Sequence, residues 1–336
     1  MTRSFDIAVI GATGSVGESL VQLLEERILP VGSLHLLAGS ESVGQSLAFR
    51  GKTLRVRPLE SFDFGSVQLA FFAAGAAVTR EYAERVSAAG CALIDLAAAL
   101  PSSLAPRVVP EVNAQVLAGL AAPYRLTSPS APAVAVALVL AALRPQLQVK
   151  HLTLTACMAV SSRGREGVSE LARQTAELLN ARPLEPRLFD RQIAFNLLAQ
   201  VDTPDATGHG ALERRLAGEL KELLEAPSLA VSATCVQAPV FFGDSLSLSL
   251  LANAAVDLPA VCAALQAAPG IEYVEPGDYP TAVGDALGQD EVYVGRVRGG
   301  LDEPAELNLW IASDNARKGA ALNAVQLAEL LIKHYL

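Results

Sequence analysis

A glycine-rich turn between a buried strand and a helix most constrains the fold of this chain. Residues 7–10 form a continuous apolar run, as expected for a parallel strand buried on both faces, and residues 15–26 have helical periodicity. In this context small residues let the backbone approach a pyrophosphate, and the helix N-terminus supplies N–H groups and the positive end of a dipole. The alternative is a tight turn kept only for packing. The candidate phosphate-binding residues are Gly11, Thr13, Gly14, Ser15, Val16 and Gly17.

Strands and helices alternate through the first part of the chain. Further apolar runs, separated by helical stretches, occupy residues 34–37, 69–73 and 92–96. This alternation favours a parallel sheet with right-handed crossovers. In the later part, residues 245–250 alternate Ser and Leu, which is typical of a sheet with one buried face, and residues 292–297 and 307–312 resemble further strands of that sheet. The sequence therefore predicts an α/β fold, with a Rossmann-type dinucleotide-binding domain followed by an α+β domain built on an antiparallel sheet.

Composition and charge exclude several classes of protein. The 336 residues, 51% of them hydrophobic, suffice for two domains. The net charge of -9, without any block of Lys or Arg, lacks the electrostatic footprint of a nucleic-acid-binding protein. The longest apolar run, residues 131–143, is too short to cross a bilayer and predicts a buried helix rather than a membrane span.

The remaining signals concern location, cysteines and metals. The first residues lead directly into a strand without a hydrophobic signal region, so we expect a cytoplasmic protein. The cysteines lack CxxC spacing and are expected to be buried reduced thiols rather than disulfides. The histidines show no metal-ligand spacing, so no metal site is expected. These residues are Cys91, Cys157, Cys235 and Cys262, and His35, His151, His209 and His334.

Several strings of residues carry a resemblance to one known family. The strings are residues 8–17, 108–113, 192–196, 231–236, 239–241 and 309–321. In this order and spacing they resemble the aspartate-semialdehyde dehydrogenase family, over nearly the whole chain. The resemblance implies that the last helix returns to the first domain, so that residues 1–130 with 313–336 form the NAD(P)-binding domain and residues 131–312 the dimerisation domain. It also implies a homodimer.

The loop before the apolar helix decides whether this chain can carry out the covalent step of the family. Residues 126–132 resemble the nucleophile loop of the family, in which a Cys attacks the aldehyde or releases the acyl group. Ala131 stands at the position of that Cys, and a methyl group cannot form a thioester. Pro132 suits the first turn of the helix, where a thiol would have a lowered pKa. Ser130 would need an adjacent base to replace the thiol, and no His lies near a resembling site position.

Four further positions lack the side chains that the family uses. By the resemblance, Gln237 replaces the Arg that binds the substrate, and Asp244 replaces the catalytic His. Met158 likewise replaces the active-site Gln, and Pro101 replaces the Arg that holds the substrate phosphate. Asp244 fits the closing of a turn, with a catalytic role as the alternative, and Met158 fits packing. Since Ala131 replaces the nucleophile as well, we predict that the chain has no catalytic residues.

The cofactor site retains only part of the family's pattern. NADP enzymes of the family have an Arg and a Lys after the second strand, where this chain has Glu41 and Gln45. Glu41 can accept hydrogen bonds from a ribose 2′-hydroxyl, the usual arrangement for NAD, and the alternative is a solvated turn residue. NAD is therefore the candidate cofactor, and NADP is disfavoured. The other cofactor-site residues implied by the resemblance are Ser42, Ser161, Ser162 and Asn315.

Three functions are compatible with these residues. The first is a catalytically silent relative, a pseudoenzyme that keeps the fold, the dimer surface and some capacity to bind NAD. The second is an interaction protein whose partner is an active family member or another metabolic enzyme. The third is an oxidoreductase without a covalent intermediate, such as direct hydride transfer to a ketone, with Asp244 as its acid or base. A dinucleotide bound to the purified protein would favour the third function.

Overall fold

The computed structural model describes residues 3–336, and the chain divides into two compact units. The first unit comprises Met1–Ser130 with Ala320–Leu336, and the second comprises Ala131–Gly319. The first unit is therefore discontinuous in sequence, and the second is an insertion within it. Each unit contains its own six-stranded sheet.

The strands of the two units follow one another along the chain. Strands β1 to β8 belong to the first unit and strands β9 to β14 to the second. Their bounds are β1 (Phe5–Ile10), β2 (Val31–Ala38), β3 (Ser46–Phe49), β4 (Lys52–Arg55), β5 (Arg57–Pro58), β6 (Leu69–Phe72), β7 (Ala92–Asp95), β8 (Arg125–Thr127), β9 (Val149–Met158), β10 (Ala230–Gln237), β11 (Asp244–Ala252), β12 (Ile271–Tyr273), β13 (Val292–Gly299) and β14 (Glu306–Ser313).

The helices are divided between the units in the same way, except that the last helix returns to the first unit. A π-helical turn, Arg317–Leu322, precedes that last helix. The helices are α1 (Ser15–Glu26), α2 (Ala76–Ala88), α3 (Pro110–Asn113), α4 (Ala131–Leu143), α5 (Gly164–Leu179), α6 (Ala211–Leu223), α7 (Leu258–Ala267) and α8 (Asn323–His334).

The sheet of the first unit has the strand order β5-β2-β1-β6-β7-β8, and all of its pairings are parallel. The continuous apolar run in β1 is explained by burial on both faces. Ile7 and Val9 belong to a core cluster that includes residues of α1 and α8. Ala8 and Ile10 belong to a second cluster that includes Val86 of α2. The predicted Rossmann-type parallel sheet, with helices on both faces, is confirmed.

The sheet of the second unit has the order β10-β9-β11-β14-β13-β12 and is mixed. Leu246, Leu248 and Leu250 of β11 are buried, which confirms the predicted one-sided strand. Strand β11 is antiparallel to both of its neighbours, but β9 pairs with β10, and β12 with β13, in parallel. The strands predicted from the sequence, which are β11, β13 and β14, pair in the antiparallel direction as expected, and these two parallel pairings make the sheet mixed. Alternating burial identifies a strand with one covered face, whichever direction its neighbours run.

Helix α4 corresponds to the longest apolar run of the sequence. Ten of its thirteen residues are buried, so it is a core helix, as predicted. Within residues 3–336, no helix combines the length and the apolar character that crossing a membrane would require.

Candidate functional site

The glycine-rich turn after β1 is held by contacts that exclude side chains. Gly11 has φ +81°, and a Cβ built on it would lie 2.8 Å from the backbone of Ala73. Gly17, in the first turn of α1, is tighter still, since its Cβ would lie 2.1 Å from the carbonyl oxygen of Gly11. The Gly11 N–H donates to the Leu37 carbonyl at 2.8 Å, which fixes the turn to β2. Glycine is therefore required at 11 and 17 by close backbone approach.

The same turn presents uncapped amides at the start of α1. The N-cap residue is Gly14, which has no side chain to cap the helix. The first hydrogen bond of the helix runs from the Glu18 N–H to the Gly14 carbonyl oxygen, at 2.9 Å. The N–H groups of Ser15, Val16 and Gly17 are those that every helix leaves without an intrahelical acceptor. Together with the helix dipole, they suit a phosphate group.

The predicted adenosine-side residues lie at the same edge of the parallel sheet. Glu41 and Ser42 are in a short 3-10 turn, Ser40–Ser42, that follows the carboxyl end of β2. Strands β1 and β2 are parallel neighbours, with Ile10 opposite Leu37, so the two turns start from adjacent strand ends. Glu41 is exposed and Ser42 is half-buried. A carboxylate here fits the hydroxyls of a ribose and repels a 2′-phosphate.

A buried carboxylate that the sequence did not single out organises the loop after β7. Asp95 is fully buried at the end of that strand. Its oxygens accept three backbone N–H groups, from Ala97 at 2.8 Å, Ala99 at 2.6 Å and Leu100 at 3.1 Å. Pro101 follows in the same loop and is exposed. The signal that could have found Asp95 is an acidic residue ending an otherwise apolar strand.

Ala131 is the first residue of α4 and lies against Gly319. A Cβ built on Gly319 would be 2.4 Å from the Cβ of Ala131 and 2.9 Å from its Cα. The methyl group at the predicted nucleophile position is therefore packed against backbone at the N-terminus of a buried helix.

Four buried side chains form a row across the second sheet, here called the strand-end row: Gln237, Met158, Asp244 and Ser313. Gln237 is opposite Met158 in the parallel pairing of β10 with β9, and Asp244 is opposite Ser313 in the antiparallel pairing of β11 with β14. The pairing of Ser245 with Cys157 places Asp244 beside Met158. The structure thus brings together three of the positions predicted from the resemblance and adds Ser313, which the sequence did not indicate.

Two members of the row bind opposite sides of one peptide group. The Gln237 side-chain Nε2 donates to the Met158 carbonyl oxygen at 2.8 Å. The Ala159 N–H, from the same peptide bond, donates to Asp244 Oδ1 at 3.0 Å. Both side chains are almost fully buried, at 1% and 2% exposure.

Asp244 is electrostatically unusual. Burial raises the pKa of its carboxyl to about 7, the Ala159 N–H opposes this, and the carboxylate of Asp314 adds to it. Glu170, a second buried carboxylate, behaves in the opposite way. Burial acts to raise its pKa, but hydrogen bonds from Arg173, the Arg187 N–H and Gln174 together lower it below the ordinary value. Glu170 is less deeply buried, receives more donors and has the Arg173 cation beside it, whereas Asp244 is deeply buried and receives one N–H.

Two predicted cofactor residues, Ser161 and Asn315, are bonded to each other. Their Oγ and Nδ2 atoms are 3.0 Å apart, and Asn315 Oδ1 also accepts the Gly243 N–H at 3.0 Å. Both residues are buried, whereas Ser162 is exposed. Asn315 thereby ties the loop before β11 to the segment after β9.

A cavity of about 330 Å³ opens beside Met158 in the second unit. Its cationic side chains are already engaged in part. Arg163 donates to the Val201 carbonyl at 2.8 Å, and Arg215 pairs with Glu219 at 2.7 Å. Within residues 3–336 no cluster of three His, Cys, Asp or Glu side chains is placed to hold a metal ion. The cavity is lined by Met158, Ser162, Arg163, Val201, Asp202, Ala211, Leu212 and Arg215.

Comparison with known families assigns both units. Residues 6–120 match the model of the semialdehyde dehydrogenase NAD binding domain, and residues 140–318 match that of the semialdehyde dehydrogenase dimerisation domain. The chain belongs to the semialdehyde dehydrogenase family. The glycine-rich turn and Glu41 lie within the match to the NAD binding domain, and the strand-end row lies within the match to the dimerisation domain.

Individual members of the semialdehyde dehydrogenase family align along the whole chain. A USG-1 protein homolog of Azotobacter vinelandii is 62% identical over 333 residues, which cover 99% of each protein. Aspartate-semialdehyde dehydrogenase 2 of Vibrio cholerae is 38% identical over 336 residues, which cover 100% of each. The solved structure of a probable aspartate-semialdehyde dehydrogenase from Pseudomonas aeruginosa, 62% identical, covers 99% of this chain and 100% of its own with a TM-score of 0.97. Within the family, this chain is therefore aspartate-semialdehyde dehydrogenase-like.

Proposed function

We propose that this protein is a catalytically silent aspartate-semialdehyde dehydrogenase-like protein that keeps the fold, a dimer surface and a dinucleotide cradle with a preference for NAD. In this proposal residues 1–130 with 313–336 bind the nucleotide and residues 131–312 form the dimerisation domain. The observation that carries it is Ala131. Its methyl group occupies the N-terminus of α4, where the resemblance puts the thiol that forms the covalent intermediate.

Two other thiols of the second unit, Cys157 and Cys235, do not supply a replacement. Burial raises the pKa of Cys157, and the charge of Asp244 adds to it. Burial raises the pKa of Cys235 to about 12, and the nearby carboxylates of Glu213, Asp202 and Asp244 act in the same direction. Because the thiolate is the nucleophilic form, these two side chains are poor nucleophiles near neutral pH.

The positions around the missing thiol support the same proposal. Gln237 and Asp244 replace, by the resemblance, an Arg and a His, and both are bonded to the peptide group between Met158 and Ala159. A buried carboxylate at 244 would raise the pKa of a thiol restored nearby, where an imidazole would accept its proton. Pro101 has no charge with which to hold a phosphate. The changes therefore affect binding as well as covalent chemistry.

The test is to restore the side chains in steps. Wild-type protein should show no phosphate-dependent oxidation of aspartate semialdehyde with NAD or NADP, and Ala131→Cys alone should not create it. Catalytic groups that act as a unit are strongly non-additive, so that removing one can cost roughly 10⁶-fold, nearly as much as removing all. Turnover is expected only when Gln237→Arg, Asp244→His and Pro101→Arg are added to Ala131→Cys.

Aspartate-semialdehyde dehydrogenase 2 of Vibrio cholerae, assayed alongside, shows that the conditions support turnover. Unfolding curves of each variant show that it is folded. Efficient turnover by wild type, or by Ala131→Cys alone, contradicts the proposal.

The proposed dimer uses the outer face of the second sheet. On this outer face lie Ser245, Ser247 and Ser249 of β11. They alternate with leucines that are buried on the opposite face of the same strand. Their small side chains allow close approach of a flat partner surface. We expect a homodimer that buries well above roughly 1,500 Å², as an obligate interface does. Sedimentation at micromolar concentration measures this, and a monomeric mass contradicts it.

One observation favours a second candidate function. A carboxyl with a pKa of about 7, as at Asp244, suits a general acid. In such an oxidoreductase, NADH would give a hydride to the carbonyl carbon of a ketone and Asp244 would protonate the oxygen. NADH oxidation with a panel of ketones tests it. Turnover by wild type that Asp244→Asn abolishes would replace the first proposal with this one.

A further inference from the structure

Three polar atoms of the strand-end row are buried without a hydrogen-bond partner among residues 3–336. They are Gln237 Oε1, Asp244 Oδ2 and Ser313 Oγ. All three side chains are at most 3% exposed. A buried polar atom left unpaired is destabilising, so the two unpaired atoms on the directly paired residues Asp244 and Ser313 point to a partner that is not part of the chain.

The bonds already made define what this partner must offer. The Gln237 Nε2 donates to the Met158 carbonyl, which fixes the orientation of the amide and leaves its acceptor oxygen as the unpaired atom. Asp244 Oδ1 accepts the Ala159 N–H, so the second carboxylate oxygen also remains to accept. The Ser313 hydroxyl can accept as well. Above the raised pKa of Asp244, where Oδ2 carries no proton, the missing partner is therefore a hydrogen-bond donor.

The charge of the site points the same way. The neighbouring charge that acts on Asp244 is the carboxylate of Asp314, whose own oxygens accept the N–H groups of Gly288, Ala316 and Arg317. Two carboxylates close together favour a cation over an anion.

We propose that the strand-end row binds a small ammonium-type ligand, a primary amine or the ammonium ion, through Asp244 Oδ2 and Ser313 Oγ, which belong to directly paired residues of β11 and β14. Gln237 lies on the far side of β9 from Asp244 and stands outside this contact. By the resemblance, 244 is the position of a His, which is able to donate. An acceptor stands there in this chain, so the polarity of the site is reversed. The proposal rests on the acceptor atoms of Asp244 and Ser313 and holds whether or not the protein catalyses a reaction.

Met158 provides the route to the row. It lies between Gln237 and Asp244 in the sheet register, and it also lines the cavity of about 330 Å³. An unbranched thioether side chain with three rotatable bonds can move aside at low cost. A ligand of a few heavy atoms in the cavity would then reach the row with its amine end.

The test is thermal unfolding with methylammonium chloride, in phosphate buffer near pH 8 because Tris is itself an amine. Tetramethylammonium chloride at equal concentration is the matched probe, since it has the charge but no N–H group. The Tm of wild type should rise with methylammonium, by about 4 °C at a concentration a hundredfold above Kd. Tetramethylammonium chloride should raise the Tm by no more than sodium chloride at the same concentration does.

Variants locate the effect. Asp244→Asn keeps the shape but replaces the acceptor oxygen with a donor, and should lose the response to methylammonium while unfolding at the same or a higher Tm without ligand. Ser313→Ala, a milder change, should weaken binding about fivefold to tenfold and serves if the first variant fails to fold. Asp302→Asn, at an exposed position, is the charge-matched control and should respond as wild type does.

An equal rise in the Tm of wild type with the two ammonium salts would overturn the proposal. It would mean that water molecules are the partners of the unpaired atoms. An Asp244→Asn variant that responds as strongly as wild type would also overturn the proposal, because binding would then lie elsewhere. Neither outcome bears on dehydrogenase turnover, which is measured separately.

Discussion

The glycine-rich turn and the strand-end row differ in which part of the chain forms the site. At the turn, the proposed binding groups are backbone amides, and their placement depends on Gly11 and Gly17, which have no room for a side chain. In the row, the proposed binding groups are the side chains of Asp244 and Ser313 on regular strands. A regular strand accepts many side chains without changing its path. A site made of backbone therefore persists as long as the fold does, whereas a site made of side chains can change its chemistry on an unchanged fold.

The largest effect expected concerns the row and its pH dependence. The folded protein holds the Asp244 proton up to about pH 7, whereas the ordinary value is 3.8. The folded state binds more protons than the unfolded state in this window, so this group's contribution to stability falls as the pH rises from about 4 to about 7. The loss is on the order of 4 kcal/mol. Asp244→Asn removes the titrating carboxyl and with it this loss. The stability of the variant relative to wild type should therefore grow between about pH 4 and about pH 7 and stay level above about pH 7.

Urea unfolding in amine-free buffer at several pH values measures this difference. The titratable groups that act with Asp244 are Asp314, Cys157 and Cys235, and they are the same in both proteins. Asp302→Asn provides the control for removing a charge at an exposed position. A difference between Asp244→Asn and wild type that does not depend on pH would mean that the carboxyl titrates normally.

The next effect concerns the turn. Gly17→Ala would place a Cβ 2.1 Å from the Gly11 carbonyl oxygen and should destabilise the protein by about 3 kcal/mol, because backbone has to move. Gly14→Ala is the matched control, since its Cβ would lie 3.4 Å from the same oxygen, and it should cost less than about 1 kcal/mol. Denaturant unfolding compares the two, and equal losses would show that the turn adapts to side chains.

The smallest effect concerns nucleotide choice at the edge of the turn. Because Glu41 is an exposed carboxylate beside the predicted adenosine site, NAD should bind about tenfold more tightly than NADP, a difference of about 1.4 kcal/mol. Glu41→Arg should reduce or reverse this preference, while Glu60→Arg, exposed in the same unit, should not. Calorimetric titration with both nucleotides measures it. Tighter binding of NADP to wild type would reveal another cationic partner for the 2′-phosphate.

Local sequence patterns predicted most of the fold. Helix α1 was expected at residues 15–26 and is found there, because the glycine turn fixes its start and apolar periodicity marks its length. The alternating Ser and Leu residues of β11 likewise identified a one-sided strand. The parallel pairing of β9 with β10 was not predicted, since alternation reports which face is buried and carries no information on the direction of the neighbouring strand.

The site could be predicted only position by position. The resemblance singled out Met158, Gln237 and Asp244, but it is sheet register that places them in one row with Ser313. That two of them bind the same peptide group follows from side-chain geometry at the strand ends, which no sequence spacing encodes. Asp95 was missed for a similar reason, since its role lies in accepting backbone N–H groups from the loop that follows it.

The contact of Ala131 with Gly319 has a consequence for how this chain is assembled. These residues are the first and last of the second unit, and their backbones touch. A module whose ends meet can enter a host chain at one point without stretching it, and it can be cut out and closed by a short loop. Residues 131–319 therefore have the geometry of an inserted domain whose two ends are adjacent. Their ends could be joined and new termini opened elsewhere in that unit while its sheet keeps the same strand order.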